Sequence, residues 1–169
     1  MDSFQLATII RLTLSYFTLF YVNIRIEYKI ILFYLYDFLD CDIPKYVSFN
    51  SNNAFCKTLE YQFTDKITDT ITYLMLYYYL LKNSILNSNE LKLVKILLIF
   101  RIVGVVLFIL TSNESLLFLF ANYFLEVTFL LILLKNIKIK SKTKNLLLIL
   151  LIFPLKLIQE YLMHIWKKN

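Results

Sequence analysis

Six runs of Leu, Ile, Phe, Tyr and Val, separated by short polar stretches, set the pattern of the chain, at about 5–23, 28–42, 66–82, 93–111, 115–134 and 145–166. A helix needs about 17–25 apolar residues to cross a hydrocarbon core of roughly 30 Å, so each run predicts a membrane-spanning helix. The second and third runs are short or interrupted by acids. They reach full length only if helix continues beyond them into the polar stretch that separates them. The expected fold is therefore all-α: a polytopic membrane protein, a bundle of about six transmembrane helices, forming a single domain over residues 1–169.

The polar stretches predict the connections. Arg25-Ile-Glu27-Tyr-Lys29 reads as a short basic link, and Lys45 to Glu60, with its Asn- and Ser-rich centre, as a surface loop. Five Lys between Lys135 and Lys144 mark a topogenic loop suited to anionic lipid. With six spans, the loops near 25, 85 and 140 share one side and carry most of the Lys and Arg. The positive-inside rule assigns that side to the cytoplasm.

Composition supports the membrane assignment. Hydrophobic residues make up 59% of the chain, with a mean hydropathy of +0.64, one Gly and two Pro, unlike an average soluble domain. The excess of Ile, Asn, Lys, Tyr and Phe over Gly, Ala and Pro resembles drift toward AT-rich codons. A net charge of +6 comes mostly from clustered Lys, which points to membrane lipid as a partner. No basic helix with interleaved aromatics is present, so no nucleic acid is expected. Cys41 and Cys56 have neither CxxC nor metal spacing and are expected to be free thiols. The first segment carries Asp2 and Arg11 instead of a basic start, and is expected to be retained rather than cleaved.

Candidate chemistry gathers at the edges of the second and third runs. Asp37 and Asp40 are spaced i,i+3, and Asp65 and Asp69 i,i+4, so on helices each pair shares a face. Four carboxylates held together across two helix ends repel unless cations lie between them, and hard oxygen ligands suit Mg²⁺ or Mn²⁺. The plainer alternative is four helix-end acids in a solvated loop. Arg11, inside the first run, either snorkels to the surface or pairs with a carboxylate of another helix. Arg101 lies mid-run and requires an anion, either the acid cluster or a phosphate. Gly104, three residues on, admits close approach of a neighbouring helix. Glu126 reads as a packing or interfacial acid, and His164 beside Trp166 as an interfacial anchor. Tyr77, Tyr78 and Tyr79 read as an aromatic belt.

The spacing of these acids resembles the signature of the CDP-alcohol phosphatidyltransferase family, D-x2-D-G-x2-A-R-x8-G-x3-D-x3-D. Asp37 and Asp40 match the opening pair and Asp65 and Asp69 the closing pair. Cys41 stands at the first Gly, Pro44-Lys45 at Ala-Arg and Tyr61 at the second Gly, and the intervening loop is seven residues longer than the pattern. Leu-Ala-Thr-Ile-Ile-Arg11 is similar to the opening of the family's first helix, and the segment around Arg101 to its fourth helix.

The resemblance implies a six-helix membrane bundle engaged in phospholipid biosynthesis. It implies transfer of a phosphatidyl group from a CDP-linked lipid to an alcohol acceptor with release of CMP. By the same resemblance Asp37, Asp40, Asp65 and Asp69 hold Mg²⁺ or Mn²⁺, and Asp69 also acts as general base. Cys41, Lys45 and Arg101 would adjoin the CDP-linked substrate, with Lys45 neutralising a phosphate as a point charge. A homodimer is an admissible assembly. The family places its active site and termini in the cytoplasm, opposite to the side chosen by the Lys and Arg count. A non-catalytic membrane scaffold, its acids paired with Arg11, Lys66 and Arg101, is the alternative function.

Overall fold

In a computed structural model, residues 3–40, 58–136 and 152–164 are described, and at 3–4, 37–40, 159–160 and 162–164 only the backbone. The described residues are helical with short turns, and no strand occurs among them. The helices are α1 (Ser3–Phe20), α2 (Ile26–Asp40), α3 (Leu59–Lys82), α4 (Ser88–Thr111), α5 (Ser115–Leu119), α6 (Phe124–Asn136) and α7 (Phe153–His164). Two compact units divide the chain, Met1–Tyr79 and Leu80–Asn169.

In the first unit, α1 and α2 pack against each other across the short link at 21–25. The Lys29 ammonium at the start of α2 donates to the Leu19 carbonyl at the end of α1 (2.7 Å), so the two helices run antiparallel. Helix α3 runs parallel to α1. Arg11 meets Asp65 and Asp69, and nine residues further along α1 the Phe20 ring meets that of Tyr79 at 5.8 Å. Arg25, Glu27 and Lys29 were expected to form a surface link. Instead, Glu27 and Lys29 are both buried in the first turn of α2. Lys29 satisfies the Leu19 carbonyl at the end of α1 and bonds the Tyr79 hydroxyl at 3.1 Å while lying 4.5 Å from that ring's centroid.

Helix α3 begins at Leu59 rather than at the edge of the apolar run near residue 66. Thr64, Thr68 and Thr70 turn their hydroxyls onto the carbonyls four residues back, at 3.1, 2.7 and 2.8 Å. A polar segment thereby satisfies its own side chains inside the helix.

In the second unit, α4 starts with a capping box in which Asn87 and Glu90 bond each other's backbone N–H groups at 2.9 and 3.1 Å. It stops at Ser112, whose φ of 54° is left-handed, the conformation glycine would supply in a chain less poor in it. The fifth apolar run, expected as one helix over 115–134, is two helices separated by Phe120–Tyr123. The break is held from outside. The Phe120 side chain lies so close to Gly104 that a Cβ added there would clash with Phe120 Cβ. Arg101 donates to the Phe120 carbonyl at 3.0 Å, supplying a donor that the interrupted helix no longer provides.

Both units have an apolar core, but their burial departs from that of a water-soluble protein in two ways. Arg11, Ser15, Glu27, Lys29, Arg101 and Lys156 face inward, whereas Ile9, Phe17, Ile71, Ile99, Leu110 and Ile158 lie on the outside. In α7 the contrast falls on consecutive residues: Lys156 is 7% exposed and its neighbour Leu155 is 65% exposed. Among the described residues, two segments are long and apolar enough to cross a membrane, Ser88–Thr111 and Ser115–Asn136, the latter counted through its break.

Candidate functional site

Among the described residues, the strongest cluster of charge lies in the first unit, where α1 meets the first half of α3. Ala7, Arg11, Ser15 and Thr18 recur every three or four residues and form the buried face of α1. On α3, Asp69, Thr72, Tyr73, Leu76 and Leu80 do the same. Arg11 and Asp69 are each 3% exposed, which decides between the two fates open to Arg11: it pairs rather than snorkels.

The pairing is reciprocal. Arg11 donates through Nη1 to Asp65 Oδ1 at 3.0 Å and through Nη2 to Asp69 Oδ1. Lys66 Nζ takes the other two oxygens, at 2.6 Å from Asp65 Oδ2 and 3.6 Å from Asp69 Oδ2. Both carboxylates are thus drawn to one point by a planar guanidinium and closed from the far side by an ammonium. Among the described side chains, two positive and two negative groups meet here. Isolated charges would be expensive here, and the arrangement leaves neither acid alone.

Register places the opening acids near the same level. Counting back eight residues from Leu19 along α1 reaches Arg11, and counting on eight from Lys29 along the antiparallel α2 reaches Asp37. Asp37 and Asp40 occupy the last turn of α2, of which only the backbone is described. Cys41 and Lys45 lie outside the described residues. Arg101 belongs to the second unit, and where an anion was expected its partner is the carbonyl ending α5, the negative end of a short helix. Tyr61, at the second Gly position of the signature, is buried one turn ahead of Asp65.

As a cation site the described part of the cluster has the right donor type, two hard carboxylates converging on one point. Among the described residues no group of three or more His, Cys, Asp or Glu gathers. The second unit holds a smaller counterpart, in which Lys156 bonds Glu126 at 2.7 Å and Glu126 acts as the packing acid expected of it. Sequence reasoning missed Ser15, Thr18, Thr72 and Lys29. Their signal was weak: isolated polar residues at helical spacing with Arg11 or Asp69, inside apolar runs.

No protein-family model matches the chain, and neither a curated protein nor a solved structure matches it.

Proposed function

We propose that the chain is a multi-pass membrane protein of the CDP-alcohol phosphatidyltransferase type. In this reading it transfers a phosphatidyl group from a CDP-linked lipid such as CDP-diacylglycerol to an alcohol acceptor and releases CMP. The observation that carries this reading is the convergence of Asp65 and Asp69 on Arg11, level in register with Asp37, because the D-x2-D and D-x3-D pattern would require the same closeness. The many outward-facing apolar side chains support a membrane protein, since they are better matched to acyl chains than to water.

The chemistry balances as follows. The acceptor hydroxyl oxygen attacks the phosphorus bearing the lipid, the bond from that phosphorus to the CMP oxygen breaks, and the hydroxyl proton passes to the Asp69 carboxylate. Asp37, Asp40, Asp65 and Asp69 would hold Mg²⁺ or Mn²⁺, which when bound supplies charge neutralisation on the transferring phosphate. Lys45 would contact phosphate, and Cys41 would line the nucleotide side. The test is CMP release by purified protein in detergent with Mg²⁺ or Mn²⁺, CDP-diacylglycerol and a panel of alcohols. Wild type is expected to release CMP and Asp69→Asn to lose it; equal release from both, above an empty-membrane control, removes Asp69 as base.

A second reading has its own observation. The ion pairs of Arg11 and Lys66 satisfy all four oxygens of Asp65 and Asp69 without any metal, as a non-catalytic scaffold would require. A scaffold gains no thermal stability from millimolar Mg²⁺ or Mn²⁺ with substrate, whereas a metal-binding transferase does.

A further inference from the structure

We infer that the break between α5 and α6 holds a single carboxylate group on Arg101, carried by a long-chain acid that enters from the bilayer. The inference goes beyond the transferase reading, because every residue it uses lies in the second unit and outside the aspartate signature. Arg101 is almost fully enclosed, and among the described residues its hydrogen bonding is confined to one contact, from Nη1 to the Phe120 carbonyl at 3.0 Å. The end of a five-residue helix offers at most a partial negative charge, so one donor is met and the full charge is not. Nε, on the other edge of the guanidinium, is buried without a hydrogen-bond partner. Buried polar atoms are normally satisfied, and a buried charge calls for a counter-charge.

The geometry of that edge selects the guest. With Nη1 engaged, Nε–H and the adjacent Nη2–H remain side by side, the fork that takes both oxygens of one carboxylate or phosphate. Helix α6 adds positive potential, since it begins at Phe124, four residues past Phe120, and its N-terminal end lies at the same break. Glu126, the acid of its first turn, is engaged by Lys156 at 2.7 Å. Non-helical backbone within an apolar span is tolerated where protein encloses it or where it lines a site, and broken helices in membrane proteins serve the second purpose.

Depth and charge narrow the class. Arg101 lies thirteen residues from the start of α4 and ten from its end, about 20 and 15 Å at 1.5 Å per residue, in a helix long enough to cross a membrane. A phospholipid phosphate carries a polar headgroup with it, which would have to follow far below the interface. A carboxylate ends its chain and brings nothing polar beyond itself, and its single charge matches one guanidinium. The adjoining surface suits an acyl chain: the Phe100 ring packs on that of Phe120 at 4.8 Å, and Phe100, Leu119 and Ile96 face outward.

The experiment follows thermal unfolding of the full chain in a nonionic detergent with laurate, dodecanol, dodecyl phosphate or acetate, each at the same concentration. Carbon NMR of carboxyl-labelled laurate runs in parallel. Laurate is expected to raise the midpoint by about 5–10 °C at a hundredfold excess over half-saturation, with a distinct bound carboxyl resonance, and dodecanol to give no such rise. Arg101→Gln, which retains an N–H donor without the charge, is expected to lose both signals. Arg101→Lys, which retains the charge without the fork, is expected to bind laurate about tenfold more weakly and serves if the Gln variant fails to fold.

Equal effects of laurate and dodecanol overturn the inference, as does the absence of a bound carboxyl resonance. An equal response to acetate overturns the bilayer source, and a stronger response to dodecyl phosphate overturns the carboxylate class. Arg101→Gln and Arg101→Lys variants that bind laurate as wild type does overturn the site itself.

Discussion

Arg11 is the residue whose loss the structure makes most costly. Arg11→Met keeps an unbranched stem in place of the Arg methylenes while deleting the guanidinium, so loss of charge outweighs the small void left behind. At 3.0 Å and an effective dielectric constant of 20, the pair with Asp65 alone is worth about 5.5 kcal/mol of attraction before desolvation. Most of that offsets the cost of having buried the charges. What a single substitution reveals is the cost of abandoning a buried partner, about 3–5 kcal/mol. Lys66 remains beside both acids and holds the expected loss to the lower end, about 3 kcal/mol. Asp69→Asn in the Arg11→Met background is expected to recover much of it, giving a coupling of about 2–3 kcal/mol in the double-mutant cycle. Reversible unfolding in mixed detergent, followed by helical circular dichroism, measures each variant. A cost below about 1 kcal/mol for Arg11→Met with no coupling to Asp69 would refute the buried pairing.

Other expectations follow from the second unit and from the outward faces. Gly104→Ala drives a methyl group into Phe120 and is expected to cost about 1–3 kcal/mol, with Phe120→Gly, which removes the clashing Cβ, relieving the penalty in the double variant; a neutral Gly104→Ala would deny the close approach. Ser112→Gly is expected to stabilise by about 0.5–1 kcal/mol, because glycine enters the left-handed conformation without a Cβ penalty; thermal unfolding reads the sign. Ile99→Asp, at the middle of α4 on its outward face, is expected to lower insertion into microsomal membranes by about 3 kcal/mol of apparent free energy, judged by glycosylation of flanking sites. Unchanged insertion would remove α4 as a span.

The helices themselves were legible because an apolar run of sufficient length leaves the backbone no better way to satisfy its polar groups than helix. Their ends were less so. Helix α3 extends seven residues into polar sequence because its Thr hydroxyls bond back to the helix, which hydropathy does not register. The break at Phe120–Tyr123 has no Gly or Pro to announce it. It depends on a notch at Gly104 and a donor at Arg101, both more than fifteen residues away in the chain. Glu27 and Lys29 read as a link because charged residues between apolar runs usually are one; Lys29 is buried because the end of α1 and the Tyr79 ring receive it.

The sequence by itself determined the all-helical class, the places of most helices and the fact that Asp65 and Asp69 share a face, since these follow from local periodicity and backbone hydrogen bonding. It left open whether Arg11 would reach for the surface or for an acid, and whether Lys66 would pair with the carboxylates. Only the tertiary structure decided those points. The parallel packing of α1 and α3 brings residues more than fifty positions apart into a low-dielectric interior, where charges must find one another.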